Sequence, residues 1–355
     1  MNINRIDLFK ELTDAFGPSG YETDVAKIMK KHFSGCGNVT MDKLGSVICS
    51  QENNGPKIMF AAHMDEIGFI VQSITKEGYL RILPVGGWTE MMLLGQRVIV
   101  RSNGKDIPGI IGSKPVHELK EEERKKIPEF RDLYVDVGAC KGIDVKETFK
   151  IRPGDPIVPY SPFTPLGNSL FLAKAWDDRI GCAVILELAQ RLNNQSHPNS
   201  VYFVGTTQEE VGLRGAQTAA ALVNPDIAFA VDVSLCREYP GFVEKEVAER
   251  LKGGVAILFH DMSMIPNTKL RDFVINVAEE KKIPYHLTSV RGGYDTGRIH
   301  LHNIGVPSLA IGVPARYIHS HAGIIAEDDM NSAVNLLTEV VLQLNQGKVQ
   351  EILSL

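Results

Sequence analysis

Cysteines are few in this sequence and show no pattern. Five are scattered over 355 residues, at Cys36, Cys49, Cys140, Cys182 and Cys236, and no two form a Cys-x-x-Cys pair. An odd, unpatterned set argues against both a disulfide framework and a thiolate zinc site, and it reads as reduced thiols. Long apolar runs are missing too: no stretch approaches the roughly 18 residues of a membrane span. The opening MNINRIDLFKELTDAFG lacks the apolar core of a secretion signal, so a cytoplasmic protein is expected. There is no surplus of basic charge. Lys and Arg number 38 against 43 Asp and Glu, a net charge of −5 with His neutral. No Lys/Arg stripe stands out, so neither nucleic acid nor an anionic membrane is expected as a partner. Internal repeats and low-complexity linkers are absent as well.

What remains is an ordinary globular composition, 44% apolar and 23% charged, at a length that suggests about two domains. Ile6, Leu8, Phe9, Leu12 and Phe16 are spaced for a short amphipathic helix over 4–16. The turn cluster Gly17-Pro18-Ser19-Gly20 stops it. Val25, Ile28, Met29 and Phe33 predict a second helix. Further helical patterns fall at 179–193 and 268–281. Between them lie short apolar runs, each leading into polar residues. Lys57–Ala62 runs into His63-Met64-Asp65-Glu66, and Val201–Gly205 leads to Gln208-Glu209-Glu210. Ile227–Val231 runs into Asp232, and Pro307–Val313 leads toward His319. Such runs predict buried strands. Their alternation with helices predicts an α/β fold, a mostly parallel sheet flanked by helices. Ligands of such sheets sit beyond the carboxyl ends of the strands. Residues 69–165 differ. Short β-like runs punctuated by Gly86-Gly87, Pro108-Gly109 and Pro153-Gly154 predict a small β domain, inserted into a catalytic domain of residues 1–68 plus 166–355. A β unit of this size is expected to expose strand edges that subunit pairing would cover.

The polar clusters carry the candidate chemistry. In His63-Met64-Asp65 an imidazole able to bind metal precedes a carboxylate. Asp65 could accept a hydrogen bond from that ring, or orient the catalytic site from behind. Asp177-Asp178 opens a helix, and a carboxylate there is either a cap or a bridge between two metals. The adjacent acids Glu209 and Glu210 repel each other; two jobs, metal binding and proton transfer, would explain the pair. Asp232 ends a strand. His319 and His321 both lie in Arg316–His321, and either could ligate. Together they offer His, Asp, Glu, Asp and His, the nitrogen and oxygen donors that two close divalent ions need. Carboxylates mixed with imidazoles suit zinc, cobalt or manganese.

The segments AAHMDEIGF (61–69), KAWDDRIGC (174–182), GTTQEEVGLRGA (205–216), AVDVS (230–234), GGYDTGRIH (292–300) and RYIHSHA (316–322) resemble, in order, the successive motifs of the tetrahedral aminopeptidase family. That family includes glutamyl and deblocking aminopeptidases, and some members carry an endoglucanase label. The resemblance runs essentially end to end. It implies a zinc-exopeptidase-like fold and a dinuclear centre bridged by Asp177. His63 and Asp232 would complete one ion, and Glu210 and His319 the other. Glu209 would be the general base and Asp65 its supporting acid. The resemblance further implies two divalent ions per subunit, short peptides as substrates, and self-association through the insertion into dimers and a dodecamer. Tyr294 and the run Ser234-Leu235-Cys236 depart from the family pattern near where the resemblance would place the specificity pocket. The nearest alternative is a carboxypeptidase or N-acyl amino-acid deacylase, but in those the extra domain usually enters later than the His63–Asp177 interval. An endoglucanase needs two opposed carboxylates and leaves His63 and His319 unexplained. A metal-free binding protein leaves all five candidate ligands unexplained.

Overall fold

The computed structural model describes residues 4–140, 144–241 and 249–354. Among them, eleven strands form one large sheet. Across it run Asn38–Met41, Val47–Gln51, Ser200–Thr206, Lys57–His63, Ile227–Leu235, Ser308–Arg316, Gly323–Ala326, Leu170–Ala173 and Thr164–Gly167, while Val255–His260 and Tyr285–Ser289 branch from Ser308–Arg316. The four central strands, 200–206, 57–63, 227–235 and 308–316, are mutually parallel. The outer pairings along this path are antiparallel.

The parallel centre follows from its composition. Ile58, Phe60 and Ala62 face one side and pack under the helices Trp176–Asn193 and Glu327–Gln343. Met59 and Ala61 face the other side, against the helix Arg214–Val223 and Ile299. Both faces are covered, so the strand reads as a continuous apolar run rather than an alternating one. Phe60 stacks between Phe203 and Phe229, with ring centroids 6.1 and 5.1 Å away.

The second sheet is a closed six-stranded barrel of Gly68–Ile74, Leu80–Val85, Arg97–Ser102, Lys105–Ile111, Tyr134–Asp136 and Pro156–Pro159. It has its own core, with Phe69, Val71, Leu80, Val98, Val100, Val135 and Ile157 inside. Closure corrects one expectation. A closed barrel leaves no strand edge to cover, so edge protection supplies no reason for subunits to pair. Glu121–Arg124 forms a single helical turn between the strands Lys105–Ile111 and Tyr134–Asp136.

The barrel is fastened to the first helices. Tyr21 Oη donates to the Gly154 carbonyl at 2.7 Å. Arg101 pairs with Asp24 at 2.5 Å and lies 3.9 Å from the Phe16 ring centroid. No helix among the described residues is long and apolar enough to cross a membrane.

Candidate metal centre

Four strands running in one direction deliver polar residues to one edge of the sheet. His63 ends its strand opposite Thr206. Glu209 and Glu210 follow Thr206 in the turn beyond. Asp232 lies near the end of 227–235, level with Gly312, and His319 follows 308–316. The helix Trp176–Asn193 brings Asp177 to the same place. Ala175, at φ +56°, turns the chain sharply into that helix.

These residues converge. His63 Nε2 lies 3.0 Å from Asp177 Oδ1, 3.8 Å from Asp232 Oδ2 and 3.9 Å from Glu209 Oε2. His319 Nε2 lies 3.3 Å from Asp177 Oδ2 and 3.5 Å from Glu210 Oε2. Two groups result, His63–Asp177–Asp232 and Asp177–Glu210–His319, each with its donor atoms within 4.8 Å of one another. Asp177 belongs to both and turns one oxygen to each histidine. Asp178, by contrast, points away: its carboxylate accepts the His63 and Gly181 amides at 3.1 and 2.9 Å. His321 is also elsewhere, its Nε2 donating to the Tyr160 carbonyl at 3.1 Å. Asp65 belongs to neither donor group. Its carboxylate accepts the backbone amides of Glu209 and Glu210 at 2.9 and 3.1 Å and lies 3.5 Å from His63 Nδ1.

The cluster is strongly charged and largely buried. Burial, then the charge of Asp177, pushes Glu210 up to about 8. Burial and neighbouring carboxylates likewise raise Glu209, Asp232 and Asp178 well above the ordinary range. Burial disfavours the His63 imidazolium, yet Glu209, Asp177 and Asp65 around it raise its pKa well above the usual value. His319, opposed by burial but paired with Asp177 and Glu210, rises to about 10. Those imidazoles hold Asp177 far below the carboxylate range despite its burial. Glu210 Oε1 is buried with no hydrogen-bond partner. Crowded, buried, underpartnered carboxylates are costly without compensating positive charge. Three carboxylates and two imidazoles in two groups sharing one member suit two divalent cations.

Several supporting groups carry no sequence signal that spacing alone reveals. His319 Nδ1–H donates to the Gly87 carbonyl at 2.8 Å, so a loop beside the barrel fixes the ring and leaves Nε2 facing the cluster. The approach is tight: a Cβ at Gly87 would stand 2.8 Å from that Nδ1. Glu66 binds Lys174 Nζ at 2.6 Å and Arg179 Nη2 at 3.4 Å in a buried ion cluster. Arg179 also donates to the Leu12, Ala15 and Gly17 carbonyls, tying the N-terminal segment behind the centre. Asp295, in GGYDTGRIH, is buried and accepts Thr206 Oγ1 at 2.5 Å.

Tyr294 and Ser234, where the sequence departs from the family pattern, are both buried. Tyr294 is 6% exposed, packs on Ala230 and Ala310, and donates its hydroxyl to the Val233 carbonyl at 3.0 Å. Ser234 and Cys236 are buried as well. The hollow beside Asp177, Glu210 and His319 is lined instead by Ile67, Trp176, Tyr317, Ile318 and Gly323. Both departures from the family pattern therefore fill core.

An α/β sheet with this donor set at its carboxyl edge defines a metal-dependent hydrolase. A model of the M42 glutamyl aminopeptidase family matches residues 45–336. The glutamyl aminopeptidase of Lactococcus lactis is 37% identical over 98% of both chains. A crystal structure of a TET aminopeptidase from a marine sediment Thaumarchaeota archaeon is 44% identical, covers 98% of both chains and superposes with a TM-score of 0.93. The TET1 peptidase of Pyrococcus horikoshii, described as assembling into a tetrahedron or a large octahedral shell, is 30% identical over 96% of this chain and 99% of its own, with a TM-score of 0.86. The chain belongs to the M42 glutamyl aminopeptidase family and is a metal-dependent aminopeptidase.

Proposed function

We propose that the protein removes N-terminal residues from short peptides bearing a free α-amine, using two divalent cations per subunit. His63, Asp177 and Asp232 would hold one cation, and Asp177, Glu210 and His319 the other. Zinc or cobalt suits these donors best, and manganese is compatible. Such cations would supply a polarised carbonyl and a water of lowered pKa. Glu209 accepts the water's proton and returns it to the leaving amine. Asp65 orients the Glu209–Glu210 turn through the two amides it accepts. The carrying observation is that Glu209 borders the cluster, 3.9 Å from His63 Nε2, yet belongs to neither donor group. A carboxylate that no cation occupies is free to move a proton.

The division of labour extends to the architecture. Residues 1–68 and 166–355 form the catalytic domain, and 69–165 an inserted unit through which dimers associate, building a dodecamer in the cytosol. Support comes from apolar side chains exposed beside the barrel, Met91 (67%), Met92 (44%) and Leu94 (42%). The assembling relative adds to it. Light scattering should give a mass many times that of one chain, and a stable monomer would remove this part alone.

The catalytic reading is tested with paired substrates, aminoacyl anilides and their N-acetylated counterparts, on protein reloaded with zinc, cobalt or manganese. Only the free-amine series should be cut, and only with metal. Equal hydrolysis of both series would point to a deacylase instead.

A further inference from the structure

We propose that Glu22 and Ser19, in the turn after the first helix, are positioning residues for Glu209. The inference rests on the reading of Glu209 as the proton acceptor. The turn docks directly on the stretch that follows His63. The Glu66 amide donates to the Gly17 carbonyl at 3.0 Å, the Gly17 amide donates to Glu66 Oε1 at 3.2 Å, and Pro18 forms a parallel bridge with Glu66. From there two side chains reach the acidic turn. Ser19 Oγ donates to Asp65 Oδ2 at 2.6 Å, and Asp65 receives the amides of Glu209 and Glu210. Glu22, only 6% exposed, accepts the Gln208 amide at 3.0 Å and the Gly20 amide at 2.8 Å through Oε1.

Three successive amides, those of Gln208, Glu209 and Glu210, thus end on carboxylates from elsewhere in the chain. No strand or helix holds this stretch; Thr206 is the last residue of its strand and the next helix starts at Arg214. Gln208 sits at φ +56°, a left-handed conformation that a non-glycine residue adopts only when its surroundings enforce it. Glu22 supplies the acceptor that rewards that conformation. Asp65, steadied by Ser19, sets the next two amides. The carboxylate of Glu209 is therefore aimed by its backbone, and the backbone by Glu22 and Ser19.

The test uses the metal-loaded full chain with Glu22→Ala, Glu22→Gln and Ser19→Ala. Misplacing a reacting group by about 1 Å can cost on the order of a hundredfold in rate. A partial loosening in Glu22→Ala should lower kcat about tenfold, with KM within about twofold and metal content unchanged. Gln keeps the accepting oxygen, so Glu22→Gln should recover most of that loss. Hydrogen–deuterium exchange needs no substrate and stands apart from the aminopeptidase reading. Residues 206–212 should exchange faster in Glu22→Ala and Ser19→Ala, and at the parental rate in Glu22→Gln. If Glu22→Ala does not fold, Ser19→Ala carries the same two readouts. Parental exchange and parental kcat in the alanine variants would overturn the proposal. So would equal damage from Glu22→Ala and Glu22→Gln, or a fall in kcat that merely follows metal loss. A parent protein inactive on every aminoacyl substrate would sink the functional reading, leaving exchange to decide the positioning role.

Discussion

Replacing Gly87 with alanine should weaken one cation site more than the other. Gly87 does not have a left-handed φ, so alanine can adopt its backbone; the obstacle is the added Cβ, 2.8 Å from His319 Nδ1 and 3.2 Å from its Cε1. Ordinary contact for a Cβ begins near 3.4 Å, so ring and loop must separate by about half an ångström or more. Ligand distances tolerate only about 0.2 Å. The same separation stretches the 2.8 Å bond from Nδ1 to the Gly87 carbonyl. Loss of such a partner typically costs 10- to 100-fold in metal affinity, or about 1.4–2.8 kcal/mol. The direct effect should fall on the site using His319 and Glu210, because no atom of His63 or Asp232 lies within 4 Å of a Cβ at Gly87. The assay is titration of metal-free protein with cobalt, followed by visible absorption and by competition with a chelator. One binding step should weaken by that factor, with an altered spectrum, while the other moves less, only through the shared Asp177. Gly292→Ala, whose Cβ would meet nothing within 4 Å, serves as the control. Two parental constants in Gly87→Ala, or two equally weakened ones, would refute the reasoning.

Three further outcomes follow from the centre's geometry. Glu209→Gln should lower turnover by about 10²- to 10⁴-fold with metal content retained, as read by steady-state kinetics and elemental analysis. Asp177→Ala should lose both cations in the same elemental analysis, because it removes an oxygen from each donor group. Metal-free protein should become less stable as pH rises from about 4.5 toward 8. Glu210 is raised to about 8, and His319 to about 10, so the folded state holds more protons than the unfolded state. Their contribution is fully present below the unfolded values and is lost as pH climbs through the folded ones. Cations replace those protons. Melting curves with chelator and with zinc should therefore diverge as pH increases.

Four of the five candidate donors were legible because each is a metal-capable residue beyond an apolar run; Asp177 opens a helix instead, and only the family resemblance chose it over Asp178, and His319 over His321. A parallel sheet gathers such ends at one edge, so the order of motifs alone suffices to bring His63, Glu210, Asp232 and His319 together. What was not legible works through the backbone or without periodicity. Gly86-Gly87 reads as loop punctuation, and nothing in two glycines announces that a carbonyl will orient His319. Gly17-Pro18-Ser19-Gly20 reads as a helix stop, and its hold on Asp65 exists only once the turn docks at Glu66. The Lys174–Glu66–Arg179 cluster joins residues with no fixed spacing. The antiparallel flanks, such as Asn38–Met41 and Thr164–Gly167, are short and largely exposed, so no apolar run marks them. Barrel closure was hidden for a different reason: the patterns over 69–165 give a rhythm of short strands, but pairing of Gly68–Ile74 with Pro156–Pro159 is a long-range event.

Asp177 turns one oxygen to each donor group, so with a cation in each group, as proposed, the two occupancies would be tied together thermodynamically. Filling one position changes the charge and orientation of a group the other position also uses. The free energy of that coupling must be the same whichever cation arrives first. Two opposing effects set its sign: repulsion between neighbouring dications, and the ordering of a carboxylate that the second cation then finds already aligned. Activity plotted against free metal should therefore not resolve into two independent hyperbolas. A cell that lowers its available metal would switch such an enzyme along one joint curve rather than through a half-loaded state of fixed affinity.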